Sequence, residues 1–157
     1  MNCVVCGGPA VKATEARVGH YRGQRVYVQS EFFRCEECRE EFLSPAQMNA
    51  HNRAVKNEIR KKYGLLPPEK VVEIRNKLGL SQEELEELLG TGAKVVVRWE
   101  KGKVIQGSGH DNMLRLLDRD PGLVENLRQI QRLKSDERAK YEGRNAPDPR
   151  KVIAQAV

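Results

Sequence analysis

No apolar run in this sequence approaches the roughly 18 residues that would span a bilayer, and its mean hydropathy is -0.65. A membrane is therefore not an expected partner. The first residues, MNCVVCGG, contain neither a basic stretch nor a long apolar one, so no secretory signal is expected and a cytoplasmic location is. No paired acid and base and no nucleophile constellation can be picked out, so the chain is not expected to be an enzyme. Cysteine is scarce, four in 157 residues, and in a cytoplasmic chain so few cysteines more often bind metal than form disulfides. Charge of one sign does not dominate either. Lys and Arg total 28 against 22 Asp and Glu, a formal net charge of +6. That surplus favours an anionic partner without specifying one.

What cysteine there is, is ordered. Cys3-Val-Val-Cys6 and Cys35-Glu-Glu-Cys38 are two Cys-x-x-Cys knuckles. Each turns two thiolates toward one point, and together they complete a tetrahedral four-sulfur site. One structural Zn²⁺ per chain is the leading reading. A rubredoxin-like iron site would use the same ligands, and disulfides or a thiol redox pair would use the same cysteines without a metal. Four thiolates close the coordination sphere, which leaves no position for a catalytic water. His20 and His51 are spare ligands in principle and are read as surface histidines. Between the knuckles, residues 11–18 and 24–33 alternate as strands around a turn at Arg22-Gly23, with Val26, Val28 and Ser30 on one face and Tyr27 and Gln29 on the other. After Ser44-Pro45 a helix is expected to Tyr63. Met48, Val55 and Ile59 form its apolar stripe, and Arg53, Lys56, Arg60, Lys61 and Lys62 lie elsewhere on it as a solvated face or a phosphate contact. Residues 1–66 thus form a small zinc-ribbon-like domain with one helix, barely large enough to fold without its metal. Structural zinc supplies on the order of 10 kcal/mol coupled to folding. Pro67-Pro68 marks its boundary.

Residues 67–130 carry helical periodicity in five short segments. The first runs from Pro68 to about Leu78, with Val71, Ile74 and Leu78 apolar. Ser81 and Glu84 form a capping box ahead of Leu85, Leu88 and Leu89. Gly90-Thr91-Gly92 stops that helix, and a second, basic one follows from about Ala93 to Lys101. Two short helices around a glycine turn are the pattern of a helix-turn-helix. Val96 and Trp99 face its core. Lys94 and Arg98, four apart, share a face. Arg98 suits a guanine edge, Lys94 a base or phosphate, and Val95 a thymine methyl. Gln82, Thr91 and Lys101 complete the expected DNA contacts. The preceding helix is acidic through Glu83, Glu84, Glu86 and Glu87, an anionic flank that DNA repels. The competing reading is a helical hairpin with solvated charges. A loop follows from Lys103 to Gly109, then a helix with Met113, Leu114 and Leu117, then one with Leu123, Val124, Leu127 and Ile130. Those last four are candidates for a homodimer interface, with core packing the competing explanation.

Residues 131–157 form a charged tail that can extend the last helix to about Glu142 and is then disordered. By segment, Lys and Arg exceed Asp and Glu by four in residues 1–66, fall one short in 67–130, and exceed by three in 131–157. The helix-turn-helix segment is therefore basic only locally, which argues for groove readout rather than general coating of nucleic acid. The fold class expected is α+β, a small zinc-ribbon-like domain followed by an all-α five-helix domain.

In this order of parts the sequence resembles the MqsA (YgiT-type) antitoxins. The matching features are Cys3-x-x-Cys6, the Tyr21-Arg22-Gly23 hairpin, Cys35-x-x-Cys38, and the stretch from Gly90 to Arg98-Trp99-Glu100-Lys101-Gly102 ahead of Leu116-Leu117-Asp118. They cover roughly residues 1–128. The resemblance implies an N-terminal zinc domain that binds a RelE-like ribonuclease toxin. It also implies a repressor-type (XRE-like) C-terminal domain that dimerises and binds double-stranded DNA at a palindromic operator of its own operon. In that family an Asn and an Arg four apart read bases. Arg98 matches the Arg, but Lys94 stands in place of the Asn, so the operator sequence does not carry over. The runner-up function is a stand-alone helix-turn-helix transcription factor whose zinc ribbon binds a partner and no toxin. A redox protein built on the Cys-x-x-Cys pairs is the third possibility.

Overall fold

A computed structural model of the chain describes residues 1–144. Of the charged tail, residues 145–157 and the disorder expected there lie outside the described residues. The fold is α+β, with a three-stranded antiparallel sheet followed by helices.

Strand β1 (Ala10–Tyr21) pairs with β2 (Gln24–Cys35) along its whole length, from Ala10 opposite Cys35 to Tyr21 opposite Gln24. Both strands are longer than periodicity alone suggests. Arg22 and Gly23 both take positive φ, 47° and 78°. A two-residue hairpin with that geometry matches the right-handed twist of its strands, which holds the register to the ends. A third strand, β3 (Glu41–Phe42), is not expected from the sequence. It pairs with Phe33 and Arg34, stacks Phe42 on Phe33 with ring centres 5.6 Å apart, and brings Glu41 to the guanidinium groups of Arg17 and Arg34.

Helix α1 (Pro45–Tyr63) begins and ends where its sequence signals stand. Ser44 and Gln47 form a reciprocal capping box, and Gly64 closes the helix at φ 63°. Val55 and Ile59 are buried against the hairpin. At Gly19 the strand and helix come so close that a Cβ would lie 2.0 Å from Val55 Cγ2. Met48 is a correction to the expected stripe: it is 45% exposed, and Gln47 is the buried residue of the first turns. Val55 and Ile59, one turn apart, are covered, whereas Met48, on the same helical side two turns before Val55, is left nearly half exposed. Arg60 is a second correction. It is buried rather than on the solvated face, and its Nη2 donates to the Val104 carbonyl at 3.2 Å.

Five helices follow: α2 (Pro68–Lys77), α3 (Gln82–Leu89), α4 (Val95–Glu100), α5 (Ser108–Arg119) and α6 (Leu123–Arg144). Leu66, Val71, Ile74, Leu80, Leu85, Leu88, Val96, Trp99, Leu114 and Leu117 form one apolar core between them. The expected loop from Lys103 to Gly109 is shorter, because α5 starts at Ser108, and Ile105 and Gln106 within it are buried.

The segment joining the two parts is tied down. Asp111 Oδ1 accepts from the Leu66 amide at 2.7 Å, Gln106 Nε2 donates to the Leu66 carbonyl at 2.7 Å, and Arg115 Nη2 donates to the Gly64 carbonyl at 2.7 Å. Tyr21 Oη accepts from the Ile105 amide at 3.2 Å. Burial pushes the Asp111 carboxyl up, but its hydrogen bonds from Arg115, the Leu66 amide and Gln106 outweigh that and hold it below the usual carboxylate range.

Candidate metal centre and nucleic-acid interface

The two ends of the hairpin region place all four cysteines together. Their Sγ atoms lie within 4.8 Å of one another, with Cys3 to Cys38 at 3.6 Å and Cys6 to Cys35 at 3.5 Å. A tetrahedral ion with bonds of about 2.3 Å spaces its sulfurs by about 3.8 Å, whereas a disulfide needs about 2.05 Å. All four are free thiols. Each knuckle is a tight turn. Gly7 at φ 79° and Arg39 at φ 64° provide the left-handed residues, and the Cys3 amide donates to the Gly8 carbonyl at 2.8 Å. The amides of Val5 and Gly8 donate to Cys3 Sγ and Cys6 Sγ, each at 3.4 Å. Amide donation stabilises thiolates. The amides of Cys6 and Val5 bring the Cys3 thiol down to about 7. At Cys38 the Glu40 amide pulls down too, but the neighbouring Cys6 sulfur, burial and the other two cysteines push the thiol up to about 12. Four crowded sulfurs resist ionising together, and a cation among them removes the conflict. The set thus fits a metal ion with four sulfur ligands. Neither histidine joins it. His20 is exposed. His51 is only half-exposed, with Nδ1 3.0 Å from Ser30 Oγ.

The helix-turn-helix stretch folds as α3, a turn and α4. Gly90 closes α3 at φ 66°. The second helix is shorter than expected, starting at Val95 rather than near Ala93. Lys94 is not within it but at its N-cap, with φ 65°. The cause is Glu86, counted in the sequence as part of the exposed acidic flank. It is buried, and its two carboxylate oxygens accept from the amides of Lys94 and Val96, each at 3.0 Å. A carboxylate at a helix N-terminus satisfies orphan amides and the helix dipole together. The only available hint was negative: Gly92, Ala93 and Lys94 offer α4 no Ser, Thr, Asp or Asn as a cap.

Arg98, Lys94 and Lys101 are exposed, Val95 and Thr91 are half-buried, and the Thr91 hydroxyl lies 3.4 Å from the Glu86 carbonyl. Gln82 is half-buried and donates to Glu100 Oε2 at 2.5 Å, while Arg75 Nε donates to Glu100 Oε1 at 2.6 Å. Glu100, the one acid of the basic helix, is thereby neutralised from behind, a role for Arg75 that no linear motif announces. Beside α4, Asn49, Asn52, Arg53 and Lys56 of α1 line a groove of about 410 Å³ with Lys101, Gly102 and Lys103. Four cations and no acid face it. Of the other basic residues of α1, Lys61 pairs with Glu58 and Lys62 reaches Gln24. On α6, Leu123, Val124 and Leu127 pack partly against the chain's own core, and Ile130 is 45% exposed.

The model of the MqsA family, the antitoxin component of bacterial toxin–antitoxin systems, matches residues 1–128. A protein named antitoxin MqsA from Escherichia coli (strain K12) is 28% identical over 131 residues, which span 82% of this chain and the whole of that protein.

Proposed function

The chain belongs to the MqsA antitoxin family, and on that premise we propose that it is a dimeric, zinc-containing autorepressor that also neutralises a RelE-like ribonuclease toxin. Residues 1–66 serve as the zinc and toxin-binding unit, and 67–130 as the unit that binds a palindromic operator as a dimer. The observation that carries the DNA half is the arrangement around α4. Glu86 fixes the start of the helix, Glu100 is neutralised by Arg75, and Arg98 is left exposed with Lys94 and Lys101 on either side. Arg98 reads a guanine edge, because its planar fork donates two parallel hydrogen bonds. Lys94, on the turn rather than the helix, holds a phosphate. The groove lined by Arg53, Lys56, Lys101 and Lys103 continues the same cationic surface and suits a further stretch of backbone. Val95 and Thr91, half-buried, support the helix edge, and Gln82 contacts DNA only by leaving Glu100.

Zinc is the ion proposed for Cys3, Cys6, Cys35 and Cys38, and metal analysis of the purified protein decides between it and iron. When bound it supplies cross-linking and charge neutralisation. The cysteines hold the two knuckles together and do no chemistry.

The test of the DNA half is affinity for a duplex from upstream of the chain's own gene against a scrambled duplex; equal affinities refute an operator-specific repressor. Co-purification from the native operon tests the toxin half. If no small basic ribonuclease is encoded alongside and none comes down, the stand-alone transcription factor is the better reading.

A further inference from the structure

Helix α6 runs on well past the part of the chain that matches the antitoxin family, from residue 129 to Arg144, and none of its 22 residues is fully buried. Helical segments of this length are marginal in water unless a face is packed. The first turn has such a face, since Leu123, Val124 and Leu127 lie against the core. Beyond it, Ile130, Lys134, Glu137 and Tyr141 recur at spacings of four, three and four along one side, the spacing of a coiled-coil seam. Ile130 is 45% and Tyr141 68% exposed, and Leu133, flanking the seam, is 62% exposed. Among the described residues neither Lys134 nor Glu137 makes an ion pair within its own chain.

We propose that this stretch of α6 is an interface for a second copy of the chain, the two helices running antiparallel about a two-fold axis between Ser135 and Asp136. The proposal rests on the dimeric reading above and locates its seam. Two properties choose the occupant and its direction. A parallel pair would set Lys134 against Lys134 and Glu137 against Glu137, both repulsive. The antiparallel pair sets Lys134 of each copy against Glu137 of the other and Ile130 against Tyr141, so the surface is complementary to itself, as an isologous contact requires. The same axis places the first turns of the two α6 helices about 30–35 Å apart at about 1.5 Å per residue. The axis thereby sets the separation of the two helical regions in the dimer.

Sedimentation velocity of the full chain across a concentration series tests this with charge reversals. K134E and E137K each turn two attractive contacts into repulsive ones and should weaken dimerisation about tenfold. The double variant K134E/E137K restores opposite charges across the axis and should recover the wild-type dissociation constant. Circular dichroism at concentrations where every variant is monomeric separates loss of the seam from loss of helix. If the single reversals leave the dimer unchanged, or the double variant fails to recover, this seam is wrong while the dimeric repressor can stand. If the wild type stays monomeric at high micromolar concentration and also on its operator, both fall.

Discussion

The hairpin region and the helical region solve the same problem by different means. In the helical region ten buried apolar residues from the linker through α5 form one cluster, and tertiary packing turns four short helices into a single core. Around the hairpin the buried apolar residues are few, among them Val28, Phe32, Val55 and Ile59. One end of that sheet is closed by the four cysteines and the other by a two-residue turn. A region that buries little must be held by cross-links and exact backbone geometry, whereas one that buries much tolerates shorter and less regular elements. The difference shows in what each region cannot lose.

The largest effect expected is at Cys35, which is fully buried. Cys35→Ser should abolish tight metal binding and, with it, on the order of 10 kcal/mol of folding free energy. Residues 1–63 then lose their dispersed amide spectrum while α2–α5 keep theirs; a mutant with full zinc content and an intact hairpin would break the comparison. The converse change is Ile74→Ala in the other core. It should cost about 2–5 kcal/mol in denaturant melts and leave metal stoichiometry at one, and metal loss there would mean that the two regions fold as one unit.

Gly19→Ala tests the close approach of β1 and α1. The added methyl collides with Val55, and an overpacked contact of this kind typically costs about 1–3 kcal/mol. The double variant Gly19→Ala/Val55→Ala should recover part of that loss, and no recovery would place the strain elsewhere.

On the proposed DNA surface, Arg98→Ala should lose roughly 1–3 kcal/mol per half-site and flatten discrimination at one base pair. Lys94→Ala should weaken operator and scrambled duplexes alike and reduce the salt slope by about one. Equal loss on both duplexes for Arg98→Ala would make that residue a phosphate clamp.

The smallest effect lies at the junction. Asp111 titrates below the usual carboxylate range because its hydrogen bonds outweigh its burial. Its contribution is therefore complete above the unfolded carboxylate value of about 4 and fades as pH falls through the folded value. Asp111→Asn should lower stability at neutral pH and make the acid limb of the stability curve shallower. A limb of unchanged slope would remove Asp111 from the acid response.

The local signals in the sequence are accurate where one short stretch holds the whole cause. The four-sulfur cluster comes from two knuckles, the hairpin from Arg22-Gly23, and the ends of α1 and α3 from Ser44, Gly64, Ser81 and Gly90. Each is a matter of backbone conformation or capping within a few residues, and those interactions are encoded where they act. Expectations fail where a distant partner intervenes. Met48 joins the buried stripe on periodicity alone, which gives the apolar positions but not which of them the hairpin covers. Glu86 looks like one more exposed acid until α4 is placed over it, and Arg60 like one more surface cation until the Val104 carbonyl sits above it. Lys94 shares a helical face with Arg98 only if the helix begins early enough, and Glu86 decides that it does not. By itself, then, the sequence determined the hairpin and the helices, the four-sulfur cluster and the basic character of the stretch around α4, because those follow from spacing and local chemistry. Only the tertiary structure decided which polar groups are buried, which carboxylate caps α4 and which cations share a groove with it, because burial and electrostatic pairing are properties of surfaces that meet from far apart in the chain.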